Sequence, residues 1–113
     1  MGAPIVRLIL CRGKDAADTR KWRPHPRVIC ADGFSMSVQA GEHLYCTPRI
    51  NLLDGNYAAV EVGFPSAFEE ALMPFAEDAG TPTGTVYRYV PVEIVEAVIA
   101  AHGGLYETKG ETE

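Results

Sequence analysis

The stretch of sequence that decides the fold is Val28-Ile29-Cys30-Ala31-Asp32-Gly33-Phe34-Ser35-Met36-Ser37-Val38-Gln39. Asp32-Gly33 separates two short strand-like runs, and this dipeptide is typical of a tight hairpin turn because glycine adopts a positive φ without Cβ strain. In the second run Phe34, Met36 and Val38 alternate with polar residues. That alternation predicts one buried and one solvated face, as in an antiparallel sheet.

Three further stretches have the character of β-strands. Alternate positions from Ala58 to Phe64 are apolar, and the stretch from Thr85 to Val90 alternates in the same way. Residues 4–11 form a short β-branched and aliphatic run, which predicts an N-terminal strand buried on both faces except at Arg7. With the hairpin, these stretches predict four to five strands.

Two segments carry helix signals. Ser66 followed by Glu69 has the spacing of a capping box and predicts a short helix with Phe68 and Leu72 on its buried face. The segment from Pro91 to His102 has apolar residues at helical spacing and ends at Gly103-Gly104, a C-cap signal. Strands and helices do not alternate regularly, so the predicted fold is α+β, a single domain with an antiparallel sheet and two helices.

The chain has 113 residues, 47% of them apolar and 22% charged, which suits one globular domain. We expect an N-terminal strand and a basic, proline-containing loop over 1–27, a core domain over 28–106 and a flexible tail over 107–113. No apolar run approaches the roughly 18 residues of a membrane span. The N-terminus has no secretory pattern. We therefore expect a cytoplasmic protein that is not inserted in a membrane.

The net charge of −5 is unevenly distributed. Residues 1–27 hold seven basic residues and two carboxylates, whereas residues 28–113 hold three and thirteen. The basic segment could attract phosphates and stack a base, which makes a nucleic-acid binder one alternative. The candidate residues for that role are Arg12, Lys14, Arg20, Lys21, Trp22 and Arg23. The acidic remainder of the chain should repel nucleic acid, so we do not expect nucleic acid to be the partner.

Cysteine and histidine residues supply a second alternative, a small metal-dependent or thiol enzyme. Cys30, His43 and Cys46 could provide three zinc ligands, and His43 with Cys46 could form a thiol–imidazole pair. The pattern has no Cys-x-x-Cys, no recognisable fourth ligand and no group to orient the imidazole. We therefore expect no cofactor and no catalytic residues. The odd number of three cysteines also argues against a disulfide framework.

Five tyrosines and the excess of carboxylates favour a protein-binding surface. Tyrosine anchors interfaces because its burial costs little side-chain entropy and its hydroxyl tolerates water. Strict alternation would place Tyr87 and Tyr89 on one face of a strand. If that face lies next to exposed carboxylates, the surface would suit a partner rich in Lys and Arg. The candidate residues are Glu61, Glu69, Glu70, Glu77, Asp78, Tyr87 and Tyr89. An unpaired strand edge would also permit a homo-oligomer.

Five stretches of the sequence are considered together: Cys30 to Ala40, Tyr45-Cys46-Thr47-Pro48-Arg49, Val60 to Ser66, Tyr89-Val90-Pro91-Val92-Glu93 and His102-Gly103-Gly104. Together they resemble small accessory proteins of tailed phages and prophages. The resemblance covers about residues 28–104 and includes no motif of a known chemistry. It implies a non-enzymatic protein that works in the cytoplasm of a bacterial host by binding a host protein. Inhibition of an anti-phage defence such as CRISPR–Cas is one activity that it implies.

Overall fold

The computed structural model describes residues 5–11 and 24–106. Its elements are α1 (Ile5–Leu10), β1 (Val28–Ile29), β2 (Ser35–Gln39), β3 (Ala59–Gly63), a 3-10 helix (Glu70–Phe75), β4 (Val86–Pro91) and α2 (Val92–Ala101). The strands form one sheet in the order β1-β2-β3-β4, and each neighbouring pair is antiparallel. The predicted α+β class with an antiparallel sheet is confirmed. No helix in the described ranges has the length and apolar character needed to cross a bilayer.

The hairpin of β1 and β2 forms where the Asp-Gly signal predicts it. Val28 pairs with Met36, and Gly33 has a φ of 96°, which a residue with a Cβ rarely adopts. The Asp32 carboxylate accepts a hydrogen bond of 2.9 Å from the Phe34 N–H and so closes the turn. Phe34 and Met36 are buried, as the alternation predicts.

A single hydrophobic core forms around this sheet. Burial of apolar side chains is the main favourable contribution to folding. α2 contributes Val95, Val98 and Ile99 to the core, at the spacing that the sequence predicts for one helix face. The other fully buried large side chains are Val6, Leu10, Met36, Val38, Val60, Val62, Leu72, Tyr87 and Val90.

The prediction of an N-terminal strand over 4–11 is wrong, because Ile5–Leu10 is a helix. Val6 and Leu10, four residues apart on one helix face, are each 1% exposed, whereas Leu8 is 62% exposed. The helix packs on α2, where the Val6 N–H donates a 2.6 Å hydrogen bond to Glu96 Oε2. An apolar run this short fits both the helical and the strand periodicity, so its tertiary contacts decide which conformation it adopts.

The predicted capping box at Ser66 and Glu69 does not form. The Ser66 hydroxyl instead accepts a 2.9 Å hydrogen bond from the Ser35 N–H, across the sheet. Glu69 itself precedes the first residue of the 3-10 helix and has no capping hydrogen bond. Phe68, predicted to be buried, is exposed. The side chains of Ser66 and Glu69 therefore form hydrogen bonds with residues distant in sequence instead of capping the helix.

Between the same two pairs of partner residues, β4 contains one residue more than β3. Val60 pairs with Val90, but Val62 pairs with Tyr87, so the register shifts by one residue at a β-bulge. The prediction that Tyr87 and Tyr89 share a face is therefore wrong. Tyr87 is fully buried, whereas Tyr89 is 43% exposed.

Both edges of the sheet are partly hydrogen-bonded within the chain. At the β1 edge the Tyr106 N–H donates to the Ile29 carbonyl at 2.8 Å. At the β4 edge the Glu77 N–H donates to the Val86 carbonyl at 2.9 Å. Pairing of free strand edges, the predicted route to a homo-oligomer, is not open at these positions.

Candidate functional site

The proposed zinc ligands do not come together. Cys30 and Cys46 are buried, whereas the side chain of His43 is 85% exposed and lies 3.3 Å from the Glu42 carboxylate. In the described ranges, which include all three residues, no group of three or more His, Cys, Asp or Glu side chains could hold a metal ion. The metal-site hypothesis for Cys30, His43 and Cys46 is therefore wrong.

The Cys46 thiol stabilises a loop and is not an activated nucleophile. Its sulfur accepts a 3.3 Å hydrogen bond from the Gly41 N–H and lies 3.2 Å from the Gly41 carbonyl oxygen. Burial raises the pKa of Cys46, against smaller lowering effects of the Gly41 N–H and the Arg49 charge, and the reactive thiolate is disfavoured. Since His43 faces solvent, the predicted thiol–imidazole pair does not form.

One histidine is held between two carboxylates from distant parts of the chain. His102 Nδ1 lies 2.6 Å from Asp32 Oδ2, and His102 Nε2 lies 2.8 Å from Glu69 Oε1. The imidazole also stacks on the Phe34 ring, with centroids 4.1 Å apart and planes 10° apart. We call Asp32, Glu69 and His102 the histidine clamp. It joins the hairpin turn, the start of the 3-10 helix and the C-cap of α2.

The histidine clamp is a structural feature. Two hydrogen bonds to carboxylates require both ring nitrogens to carry protons, so the imidazole is cationic when the clamp is closed. The hydrogen bond to Glu69, then the one to Asp32, raises the pKa of His102. An imidazole whose two N–H groups are both engaged has no free lone pair and cannot act as a general base. Local sequence patterns miss this cluster because its members are 33 and 70 residues apart.

The predicted acidic residues are engaged to different degrees. Glu69 binds His102, and Glu61 Oε1 accepts a 3.0 Å hydrogen bond from the Tyr45 N–H. Asp78 accepts hydrogen bonds of 3.0 Å from the Gly80 N–H and the Thr81 hydroxyl. These three carboxylates therefore have structural roles within the chain.

Two exposed carboxylates near β4 are not engaged within the described part of the chain. Glu70 and Glu77 have no side-chain hydrogen bond or ion pair within residues 5–11 and 24–106. Glu77 is fixed at the edge of β4 by the bond from its N–H to the Val86 carbonyl, and Asp78 follows it. We call Glu70, Glu77 and Asp78 the acidic edge. The chain contains no Lys or Arg between Arg49 and Arg88, so no basic residue from that segment neutralises it.

Exposed Tyr89 lies beside Tyr45, whose ring is contacted by two arginines. The rings of Tyr45 and Tyr89 have centroids 5.8 Å apart. The guanidinium carbons of Arg49 and Arg88 lie 5.5 and 5.6 Å from the centroid of the Tyr45 ring. We call these four residues the tyrosine–arginine cluster. With Tyr87 buried, the predicted surface that combines both tyrosines with the carboxylates does not form, and Tyr89 lies in a cluster with two arginines instead.

The candidate nucleic-acid residues Arg12, Lys14, Arg20, Lys21, Trp22 and Arg23 lie outside the described residues. Arg27, which follows them, donates a 2.9 Å hydrogen bond from Nε to the Ser35 hydroxyl and another from Nη2 to the Phe64 carbonyl. This arginine therefore braces the sheet.

No model of a known protein family, no curated protein and no solved structure matches this chain.

Proposed function

We propose that this chain is a non-enzymatic binding protein, and that it attaches to a protein partner with a basic surface through the acidic edge. The exposed carboxylates of Glu70 and Glu77, which have no partner in the described ranges, are the observation that supports this proposal. A field of one sign accelerates encounter with a partner of the opposite sign and fixes its orientation.

The resemblance of residues 28–104 to phage accessory proteins supports a partner in a bacterial host. A compact acidic protein can occupy a basic groove that would otherwise hold nucleic acid, since its carboxylates can take the positions of the phosphates. We therefore propose competitive inhibition of a host nucleic-acid-binding protein, as an inhibitor of anti-phage defence would act.

The test removes two charges from the acidic edge and compares a matched variant. The probe is a fluorescent Lys- and Arg-rich peptide, and the affinity is measured by anisotropy. Glu70→Gln with Glu77→Gln should weaken binding by about three- to tenfold, since an exposed ion pair contributes roughly 0.2–1 kcal/mol. Glu42→Gln with Glu93→Gln changes the net charge equally at exposed positions elsewhere and should weaken binding less than twofold.

Salt supplies the second readout. Raising the salt from about 50 to 500 mM shortens the Debye length about threefold and should weaken binding of the unaltered protein strongly. Equal losses in the two double variants would show that only net charge matters and would contradict the proposed site. An affinity that does not change with salt would contradict the electrostatic mechanism itself.

A further inference from the structure

The bulge in β4 turns two consecutive side chains outward. In a regular strand Arg88 and Tyr89 would face opposite sides of the sheet, and Tyr89 would follow Tyr87 into the core. The extra residue and a φ of 52° at Tyr89 place both side chains on the surface and return Val90 to the core. A left-handed backbone is unfavourable for a bulky residue, and such strain is concentrated at functional sites.

Hydrogen bonds from neighbouring elements hold this arrangement. The Tyr89 N–H donates to the Tyr45 carbonyl at 3.2 Å. The Tyr45 N–H in turn donates to Glu61 Oε1 on β3 at 3.0 Å. The two tyrosines are thus anchored to the sheet through their backbones, and their rings pack against each other.

Within the part of the chain that the structure describes, neither guanidinium group of the cluster has a carboxylate partner. Neither Arg49 nor Arg88 forms an ion pair within residues 5–11 and 24–106. Both contact the Tyr45 ring instead. A guanidinium held against an aromatic ring keeps N–H donors at its edge, and these match the two oxygens of a carboxylate.

We propose that the tyrosine–arginine cluster is a docking site for a carboxylate-bearing segment of a protein partner. Tyrosine and arginine, with tryptophan, are enriched among the residues that dominate the binding energy at the centres of protein interfaces. Exposed Ile50, next to Arg49 in the chain, adds apolar area of the kind that interfaces cover. Both this cluster and the acidic edge adjoin β4. The cluster consists of other residues and is opposite in charge, so it does not rest on the function proposed above.

The charges favour an acidic protein segment over a nucleic acid. A protein that binds duplex DNA tightly can neutralise roughly six to ten phosphates, whereas this cluster offers two cations. The net charge of −5 repels a dense polyanion more strongly than a peptide with one or two carboxylates. The Tyr45 ring is already contacted by both arginines, so it is a poor platform for stacking a base.

The experiment measures binding of a fluorescent peptide of alternating Glu and Leu residues at low salt. Arg88→Gln should weaken binding by about tenfold, as truncation of a central interface residue does. Arg7→Gln removes the same charge from exposed α1 and should change the affinity less than twofold. Tyr89→Gly keeps the positive φ acceptable while it removes the ring, so it should lower affinity with the fold intact by circular dichroism.

Three outcomes would overturn the proposal. One is a peptide affinity that is the same for Arg88→Gln, Tyr89→Gly and the unaltered protein. Another is a short oligo-dT that binds more tightly than the peptide through the same residues, which would make the cluster a nucleic-acid site. The third is sedimentation of the protein alone as an oligomer that Arg88→Gln dissociates, which would make a second copy the occupant.

Discussion

The imidazole of His102 lies 2.8 Å from the carboxylate of Glu69, 33 residues earlier in the chain. The same ring lies 2.6 Å from Asp32, so one side chain at the end of α2 joins the hairpin turn to the start of the 3-10 helix. Its protonation state is therefore linked to how these three segments pack.

Stability should depend on pH through the histidine clamp. Because folding raises the pKa of His102, its contribution is full below the unfolded value of about 6.5 and is lost as the pH rises through the folded pKa. The pKa of Asp32 is lowered, first by the Phe34 N–H and then by His102. Its contribution is therefore present above about pH 4 and lost as the pH falls through the folded value.

These two effects predict greatest stability in mildly acidic solution. Urea denaturation should give a higher free energy of unfolding at about pH 5.5 than at about pH 9. The His102→Gln variant should differ from the unaltered protein at the lower pH and converge with it at the higher. A difference that is constant across this range would show that the ring does not change its charge within the clamp.

Loss of the imidazole should destabilise the fold without disrupting it. A hydrogen bond to a charged group contributes about 1.5–3 kcal/mol, and the Glu69 end of the clamp is the less exposed one. His102→Gln should therefore lower the free energy of unfolding by about 1–3 kcal/mol at pH 6. The matched variant is His43→Gln, whose exposed side chain predicts a change within about 0.5 kcal/mol. Equal effects of the two substitutions would contradict a special role for His102.

Gly55 allows α1 to pack closely, and it should not tolerate a side chain. A Cβ there would lie 2.6 Å from the Cys11 nitrogen and 2.7 Å from the Arg7 oxygen, and the φ of 70° is unfavourable for other residues. Gly55→Ala should destabilise the protein by about 2–4 kcal/mol, since it combines overpacking with backbone strain.

Gly33→Ala is the matched control for Gly55→Ala. Gly33 has a φ of 96°, but no atom lies within 4 Å of a Cβ added at this position. It should therefore show the cost of backbone strain alone, roughly 1–2 kcal/mol. A Gly55→Ala variant no less stable than Gly33→Ala would argue against the close packing of α1 on this loop.

The three thiols should react at different rates. Cys11 is exposed, whereas Cys30 and Cys46 are buried, and burial raises the pKa of both buried thiols. Titration of the native protein with a disulfide reagent should show one fast thiol, and three after denaturation. The Cys11→Ser variant should lose the fast phase. A fast phase that persists in this variant would mean that a buried thiol is accessible.

Local signals in the sequence were sufficient for most of the sheet. The Asp32-Gly33 turn carries its own conformational preference, and the alternation of apolar residues sets which face of β2 is buried. The helical spacing of Val95, Val98 and Ile99 likewise predicts α2 and the face that it buries. Each of these signals acts over a few residues, so it can be recognised without the rest of the fold.

Tertiary structure alone decided the features that define the surfaces. The run over Ile5–Leu10 forms a helix because it packs against α2 and close to Gly55 in that conformation. The bulge at Tyr89 depends on the register between β4 and β3. The clamp at His102 joins residues that are distant in sequence, so no local spacing encodes it. By itself the sequence determined the antiparallel α+β class and the excess of negative charge. Contacts between distant segments determined which charges and rings reach solvent, because packing selects among backbone states that differ little in local energy.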